Sequence, residues 1–206
     1  MHETLWQVMA MNERALDFLM GSFRDIPVVT REGGYRYFVH PLSDGIPLID
    51  LDVLEAAAWL VSEEVDGMGG ADLLVTAESM GIPLTTAVSM MTGIPYSIVR
   101  KRSYGLEGEI EVAQKTGYSS SELHVLLPGG EGDVIILDDV LSTGGTLRAL
   151  AEGVGKASRD VKGAVILFNK MGRRSAELSR QLGFPIVAIL DVEVSGKGCT
   201  VVPAER

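Results

Sequence analysis

Val134-Ile135-Ile136-Leu137-Asp138-Asp139-Val140-Leu141-Ser142-Thr143-Gly144-Gly145-Thr146 is the stretch whose reading decides the fold. Four consecutive aliphatic residues read as a strand buried on both faces, as in a parallel sheet. Two adjacent carboxylates stand at its C-terminal end, where open α/β sheets bind ligands. The Ser-Thr-Gly-Gly-Thr loop then runs into a helix from about Gly145 to Ala157, with Leu147, Leu150, Ala151 and Val154 on one face. Glycines let a backbone approach a phosphate, hydroxyls donate to its oxygens, and a helix N-terminus adds unpaired N–H groups and a favourable dipole. Alone, an acid pair or a Gly-Gly is ordinary turn and capping chemistry. The ordered run from strand to loop to helix has more content: diol-binding acids beside a phosphate cup are what a ribose 5-phosphate needs.

Outward from this segment, short apolar strands alternate with helices. Leu73–Thr76, Tyr96–Val99, Ala164–Phe168 and Ile186–Leu190 read as strands, and Ile82–Met91 and Ser175–Leu182 as helices. The chain opens on an amphipathic helix carrying Leu5, Val8, Met9, Leu16 and Leu19. A turn at Gly33-Gly34 leads to a strand over Tyr35–Val39, a loop at Pro41–Gly45, and a second helix with Asp52 as its cap. Val192–Val202 reads as a hairpin about a Ser195-Gly196-Lys197-Gly198 turn. This pattern predicts one doubly wound α/β domain over residues 1–206, with a mostly parallel sheet. A small hood would come from about 25–50, with 185–206 as its candidate second contributor. Lys101 to about Ser121 reads as a long polar loop, a lid over a site.

Bulk properties narrow the function. In 206 residues there is room for one full α/β domain. A formal charge of −10 opposes a broad grip on nucleic acid, which rests on Lys and Arg neutralising phosphates, but leaves room for a local basic site. No apolar run is long enough for a membrane span, and the first twenty residues lack the pattern of a signal peptide. Cys199 stands alone, so no disulfide framework exists, and a reducing, cytoplasmic compartment is expected. His2, His40 and His124 have no metal-ligand spacing and are read as packing or surface residues.

The 134–146 run resembles the phosphoribosyl pyrophosphate signature of type I phosphoribosyltransferases: four hydrophobic residues, two acids and a Thr-Gly phosphate loop. The resemblance implies that Asp138 and Asp139 hold the ribose hydroxyls and stabilise an oxocarbenium-like centre as pyrophosphate leaves. Ser142, Thr143, Gly144, Gly145 and Thr146 would bind the 5′-phosphate. Thr76-Ala77-Glu78-Ser79-Met80-Gly81 follows a strand and opens a helix, as the family's pyrophosphate loop does, which implies a role for Glu78, Ser79, Met80 and Gly81. Val99-Arg100-Lys101-Arg102-Ser103-Tyr104-Gly105-Leu106-Glu107-Gly108-Glu109 is similar to the basic strand end and lid of the adenine and archaeal purine enzymes. Arg100, Lys101 and Arg102 would then clamp pyrophosphate. Tyr37-Phe38-Val39-His40-Pro41-Leu42-Ser43-Asp44-Gly45-Ile46-Pro47 looks like the hood of the archaeal hypoxanthine/guanine group. Together these matches span roughly residues 25 to 195.

The resemblance implies a cytoplasmic homodimer that takes phosphoribosyl pyrophosphate, a nucleobase and Mg²⁺, the ion arriving with the substrate and leaving little sequence trace. The base would lie against Phe38, Val39, Val140 and Leu141, with Lys170 donating to a 6-oxo group. Many hypoxanthine/guanine enzymes carry Asp where this chain has Ser142 and Lys where it has Gly145, so no side chain is singled out as general base. Hypoxanthine/guanine salvage is the first reading and adenine salvage the alternative. Orotate transfer follows, and last a regulator that senses the same ligand, a reading the intact phosphate loop disfavours.

Overall fold

A computed structural model describes residues 5–30, 34–115, 120–196 and 198–205. Gly33, Lys197 and His2, named above, lie outside the described residues. The order is α1 (Leu5–Gly21), β1 (Val28–Thr30), β2 (Arg36–Phe38), α2 (Pro41–Asp44), α3 (Leu51–Gly67), β3 (Leu73–Ala77), α4 (Gly81–Thr92), β4 (Tyr96–Val99), β5 (Ile110–Lys115), β6 (Ser120–Val125), β7 (Asp133–Leu141), α5 (Gly145–Lys156), β8 (Asp160–Asn169), α6 (Arg174–Leu182), β9 (Ile186–Ser195) and β10 (Gly198–Pro203).

Six strands form the main sheet in the order β10-β9-β8-β7-β3-β4. All pairs are parallel except β10 against β9. The strand alternation of β7 divides the core in two. Ile135 and Leu137 pack on the layer of α1, α3 and α4. Val134 and Ile136 pack on the layer of α5, with Leu147, Leu150 and Val154. From β3 the chain steps outward to β4, then returns past β3 to β7 and proceeds the other way, so the strand order switches between β3 and β7. That switch point is where a sheet of this kind opens a crevice at its C-terminal ends.

Three expectations need correction. The stretch 101–121 is not one loop: Ile110–Lys115 and Ser120–Val125 pair as an antiparallel ribbon. Its Val112, Leu123 and Val125 are buried in the α5 core, and that burial turns a polar-looking stretch into strands. The cap of α3 is Asp50, whose Oδ1 accepts from the N–H groups of Asp52 and Val53 at 2.9 and 3.3 Å. Asp52 is the second residue of the helix instead. The 186–203 segment belongs to the main sheet, where β10 covers its edge, while the separate two-stranded sheet β1-β2 stands in the 25–50 region expected to form the hood.

His40 fastens that hood to the core. Its ring is buried, stacked on Phe23 at 4.6 Å and edge-on to Phe168 at 4.9 Å. Nδ1 accepts from the Leu42 N–H at 3.1 Å, capping α2, so Nε2 carries the proton and donates to Ser22 Oγ at 2.9 Å. Burial pushes its pKa down from 6.5 to about 4. An imidazole lowered on folding contributes stability that is complete above pH 6.5 and is lost as pH falls through 4. His40→Asn keeps a capping acceptor but loses the ring. We expect it to lower unfolding free energy by about 3 kcal/mol at pH 7. It should also flatten the decline between pH 6.5 and 4 in urea titrations; an unchanged decline would show that His40 is not its source.

Candidate active site

The crevice at the switch point gathers residues from five segments. Asp138 is 7% exposed, and its Oδ1 accepts from the Asp139 N–H at 3.1 Å. Burial pushes the Asp138 pKa up to about 6, with the hydrogen bonds from Asp139 and the Lys101 charge acting in opposition. Asp139 is also raised well above the carboxylate range, first by burial and then by the neighbouring Asp138 charge. Two carboxylates on consecutive residues cannot both ionise cheaply in such a place. The strand fixes them there, because β7 runs on to Leu141 paired with β8 after its pairing with β3 has ended at Ile136.

Beside the acids, Tyr35, Val140 and the run Ser142–Thr146 line a cavity of about 190 Å³. Gly144 has φ +80°, and an added Cβ would meet Leu178 Cδ2 at 2.7 Å, so this position admits glycine on two counts. The N-cap of α5, Gly144, offers no side chain, and the Gly145 N–H makes only a long contact of 3.4 Å to Thr143 Oγ1. Thr146 is oriented by a residue that the sequence reading missed. Gln114, 6% exposed on β5, donates through Nε2 to Thr146 Oγ1 at 2.7 Å. Ser121 Oγ donates to Gln114 Oε1 at 2.8 Å, which fixes the amide's orientation. With its oxygen engaged, the Thr146 hydroxyl is left to donate its own proton.

On the β3 side, Glu78, Ser79 and Met80 form the loop, and Gly81 begins α4, again without a side-chain cap. An added Cβ at Gly81 would lie 2.1 Å from Thr76 Oγ1 and 3.6 Å from Asp138 Oδ1, so the helix start abuts the acid pair. Glu78 joins two of the predicted segments. Its Oε2 pairs with Arg100 Nε at 3.2 Å and its Oε1 accepts from the Lys101 N–H at 2.7 Å. Arg102 donates to Tyr104 Oη at 2.9 Å in the exposed turn. Glu109 closes that turn, accepting from Ser103 Oγ and from the N–H groups of Tyr104 and Gly105. The three cations therefore divide their tasks: Arg100 braces Glu78, Arg102 braces the turn, and the Lys101 charge reaches Asp138.

On the hood side the expectation changes in detail. Phe38 is 3% exposed and edge-on to Phe23 and Phe168, so it backs the wall instead of facing the cavity. Leu141 is buried and borders the cavity, while Val39 and Val140 are half-buried. What faces the cavity here is Tyr35, a residue without a site role in the sequence reading. Its hydroxyl lies 2.8 Å from Ser142 Oγ and 2.7 Å from Lys170 Nζ. Burial acts to raise the Tyr35 phenol, but the hydrogen bonds from Lys170 and Ser142, with the Lys170 charge, outweigh it and bring the pKa below its ordinary 10. Lys170 follows a turn built by the buried Asn169, which donates to Asp191 Oδ1 at 2.6 Å and accepts from the Met171 N–H at 2.9 Å.

Among the described residues, Glu111, Glu122 and His124 are a further set with ligand atoms within 4.8 Å of one another, on the β5–β6 ribbon. The carboxylates in the crevice itself are Asp138, Asp139 and Glu78.

Comparison with known proteins gives the chain a family. Residues 46–201 match the phosphoribosyl transferase domain. The chain is 42% identical over 176 residues to the hypoxanthine/guanine phosphoribosyltransferase of Methanococcus vannielii, covering 85% of this chain and 93% of that one. To its counterpart in Methanocaldococcus infernus it is 44% identical, covering 84% and 93%. Among solved structures, the adenine phosphoribosyltransferase of Leishmania tarentolae matches with TM-score 0.69 at 17% identity, covering 87% of this chain and 88% of that one. The enzyme from Thermoanaerobacter pseudethanolicus matches with TM-score 0.66 at 18% identity, covering 84% and 99%. At such identities the structural likeness speaks to the fold alone. The sequence likeness goes further, and the chain belongs to the type I phosphoribosyltransferase family, within the branch that holds these hypoxanthine/guanine enzymes.

Proposed function

We propose that this protein transfers ribose 5-phosphate from phosphoribosyl pyrophosphate to hypoxanthine or guanine, giving the nucleoside monophosphate and pyrophosphate. The observation that carries the choice of base is Lys170. Its ammonium lies next to the Tyr35 wall of the cavity, 2.7 Å from Tyr35 Oη, and an ammonium can only donate. A 6-oxo group accepts such a donor, whereas a 6-amino group presents N–H against it. The names of the relatives at 42 and 44% identity agree.

In this reading Asp138 and Asp139 accept from the ribose hydroxyls and stand beside the positive charge that develops at C1 as the bond to pyrophosphate breaks. The Ser142–Thr146 loop and the open start of α5 take the 5′-phosphate. Ser79, Met80 and Gly81 offer backbone N–H groups to pyrophosphate, with Lys101 and Arg102 on the lid side. The purine N9 forms the new bond to C1 as pyrophosphate departs and gives up its proton. Mg²⁺ fits this crevice, since two buried carboxylates with raised pKa values are hard oxygen donors short of a counter-charge. Asp138 and Asp139 would hold it together with the substrate's own oxygens, where it would neutralise the leaving pyrophosphate. No helix among the described residues is long and apolar enough to cross a membrane, and we place the enzyme in the cytoplasm. We also place a second copy of the chain against the apolar hollow lined by Trp59, where Met11, Phe18 and Met91 are 39, 48 and 43% exposed.

The direct test is pyrophosphate release from phosphoribosyl pyrophosphate and Mg²⁺ with hypoxanthine, guanine, xanthine, adenine and orotate supplied singly. Turnover confined to hypoxanthine and guanine is expected; adenine as the preferred base would overturn the assignment. A second test separates binding from folding at the acid pair. Asp138 has its pKa raised from 3.8 to about 6, so the stability of its protonated form is full below pH 3.8 and lost as pH rises through 6. Asp138→Asn should therefore abolish turnover yet raise unfolding free energy at pH 7.5 by about 2 kcal/mol, a gain that fades toward pH 4. Thermal and urea unfolding at both pH values read this out, and a destabilised variant at pH 7.5 would refute it.

A further inference from the structure

We propose that Tyr35 is a positioning residue for base selection, which holds the Lys170 ammonium at its station and ties it to the phosphate loop. The inference rests on the functional reading above, because it concerns how Lys170 discriminates between bases. Three side chains from distant segments meet at one phenol oxygen: Tyr35 just before β2, Ser142 just after β7 and Lys170 just after β8. The ammonium has no acceptor capacity, so in the 2.7 Å contact the phenol oxygen accepts and Lys170 donates. A second hydrogen bond joins the phenol to Ser142 Oγ at 2.8 Å, in which either hydroxyl can donate.

Among the described residues, the ammonium has one other hydrogen-bond partner, the Arg36 carbonyl. The Arg36 carbonyl is a long contact at 3.5 Å. Nζ stands 4.6 Å from the Tyr35 ring centroid and 5.7 Å from that of Phe38, attractions that confine the cation without using its N–H groups. Of its three donors, one is engaged firmly by Tyr35, and others are left for a ligand. A free lysine side chain loses considerable rotamer freedom when it is fixed. Tyr35 meets that cost before the base arrives, which is preorganisation. It also keeps the ammonium from swinging aside when a 6-amino group approaches, so adenine meets a donor opposite a donor.

Tyr35→Phe removes the acceptor and keeps the ring. In steady-state kinetics with saturating phosphoribosyl pyrophosphate, we expect the KM for hypoxanthine to rise roughly 3- to 10-fold. The KM for phosphoribosyl pyrophosphate should rise by a smaller factor, because the contact to Ser142 is lost as well, and adenine should be penalised less than before relative to hypoxanthine. Lys170→Gln supplies the second arm. If Tyr35 acts through Lys170, Tyr35→Phe adds nothing in the Lys170→Gln background, a coupling that a merely structural role would not produce. Additive effects, or an unchanged KM for hypoxanthine in Tyr35→Phe, overturn the inference while leaving the functional reading intact. Turnover of adenine and not of hypoxanthine or guanine by the unaltered enzyme overturns the reading, and this inference with it.

Discussion

Desolvation of the acid pair at the end of β7 is the constraint to which the rest of the crevice answers. Asp138 and Asp139 are consecutive and sit at the switch between β3 and β7, where, among the described residues, no cation forms an ion pair with them; the Lys101 charge only moderates the cost for Asp138. Such a pair costs stability in the ligand-free protein. The fold can carry it because β7 is flanked on both faces by fully buried aliphatic layers, with Val134, Ile135, Ile136 and Leu137 all at zero exposure. A partner that brings hydroxyls and a cation to the acids relieves the cost. That is why a charge pattern unfavourable in isolation is suited to a ribose polyphosphate.

Around the acids, long-range polar contacts hold each binding loop from outside itself. Glu78 braces the β3 loop against Arg100 and Lys101, Gln114 braces Thr146 from the ribbon, and Tyr35 braces Ser142 and Lys170 from the hood. A loop held only by its own backbone would be free to drift, and small drifts at a reacting centre cost rate steeply. These contacts explain why the lid stretch contains a ribbon at all. A 21-residue structureless loop could not present Gln114 to Thr146, whereas a ribbon packed through Val112, Leu123 and Val125 can.

Legibility in the sequence follows the range of the interaction. The 134–146 run was readable because strand, acids, glycines and helix start are contiguous, and each has a local physical meaning. β3, β4, β8 and β9 were readable for the same reason, as apolar runs of strand length. The ribbon was missed because its inward-facing positions include Gln114, which breaks the apolar alternation, and its pairing becomes favourable only against α5. Asp50 and Asp52 are chemically equal as cap candidates, and only the turn preceding the helix distinguishes them. Tyr35, Gln114 and Asn169 carry no sequence mark, since their partners lie 135, 32 and 22 residues away. Phe38 packs inward against Phe23 and Phe168, a facing that a three-residue strand does not encode by periodicity.

The same division of range accounts for how a chain of net charge −10 can be suited to a polyanion. Net charge acts over a Debye length of about 8 Å or more, through solvent, and is screened there. Inside the crevice the groups that face a phosphate are the uncapped starts of α4 and α5, a hydroxyl turned outward by Gln114 and the Lys101 ammonium. The first three carry no formal charge, so composition does not register them. They lie on rigid elements beside low-dielectric walls, where a dipole counts for more than a surface carboxylate some distance off. Groups of this kind act at the short range of the crevice, which is how a ligand-sized anion and a net negative chain are compatible.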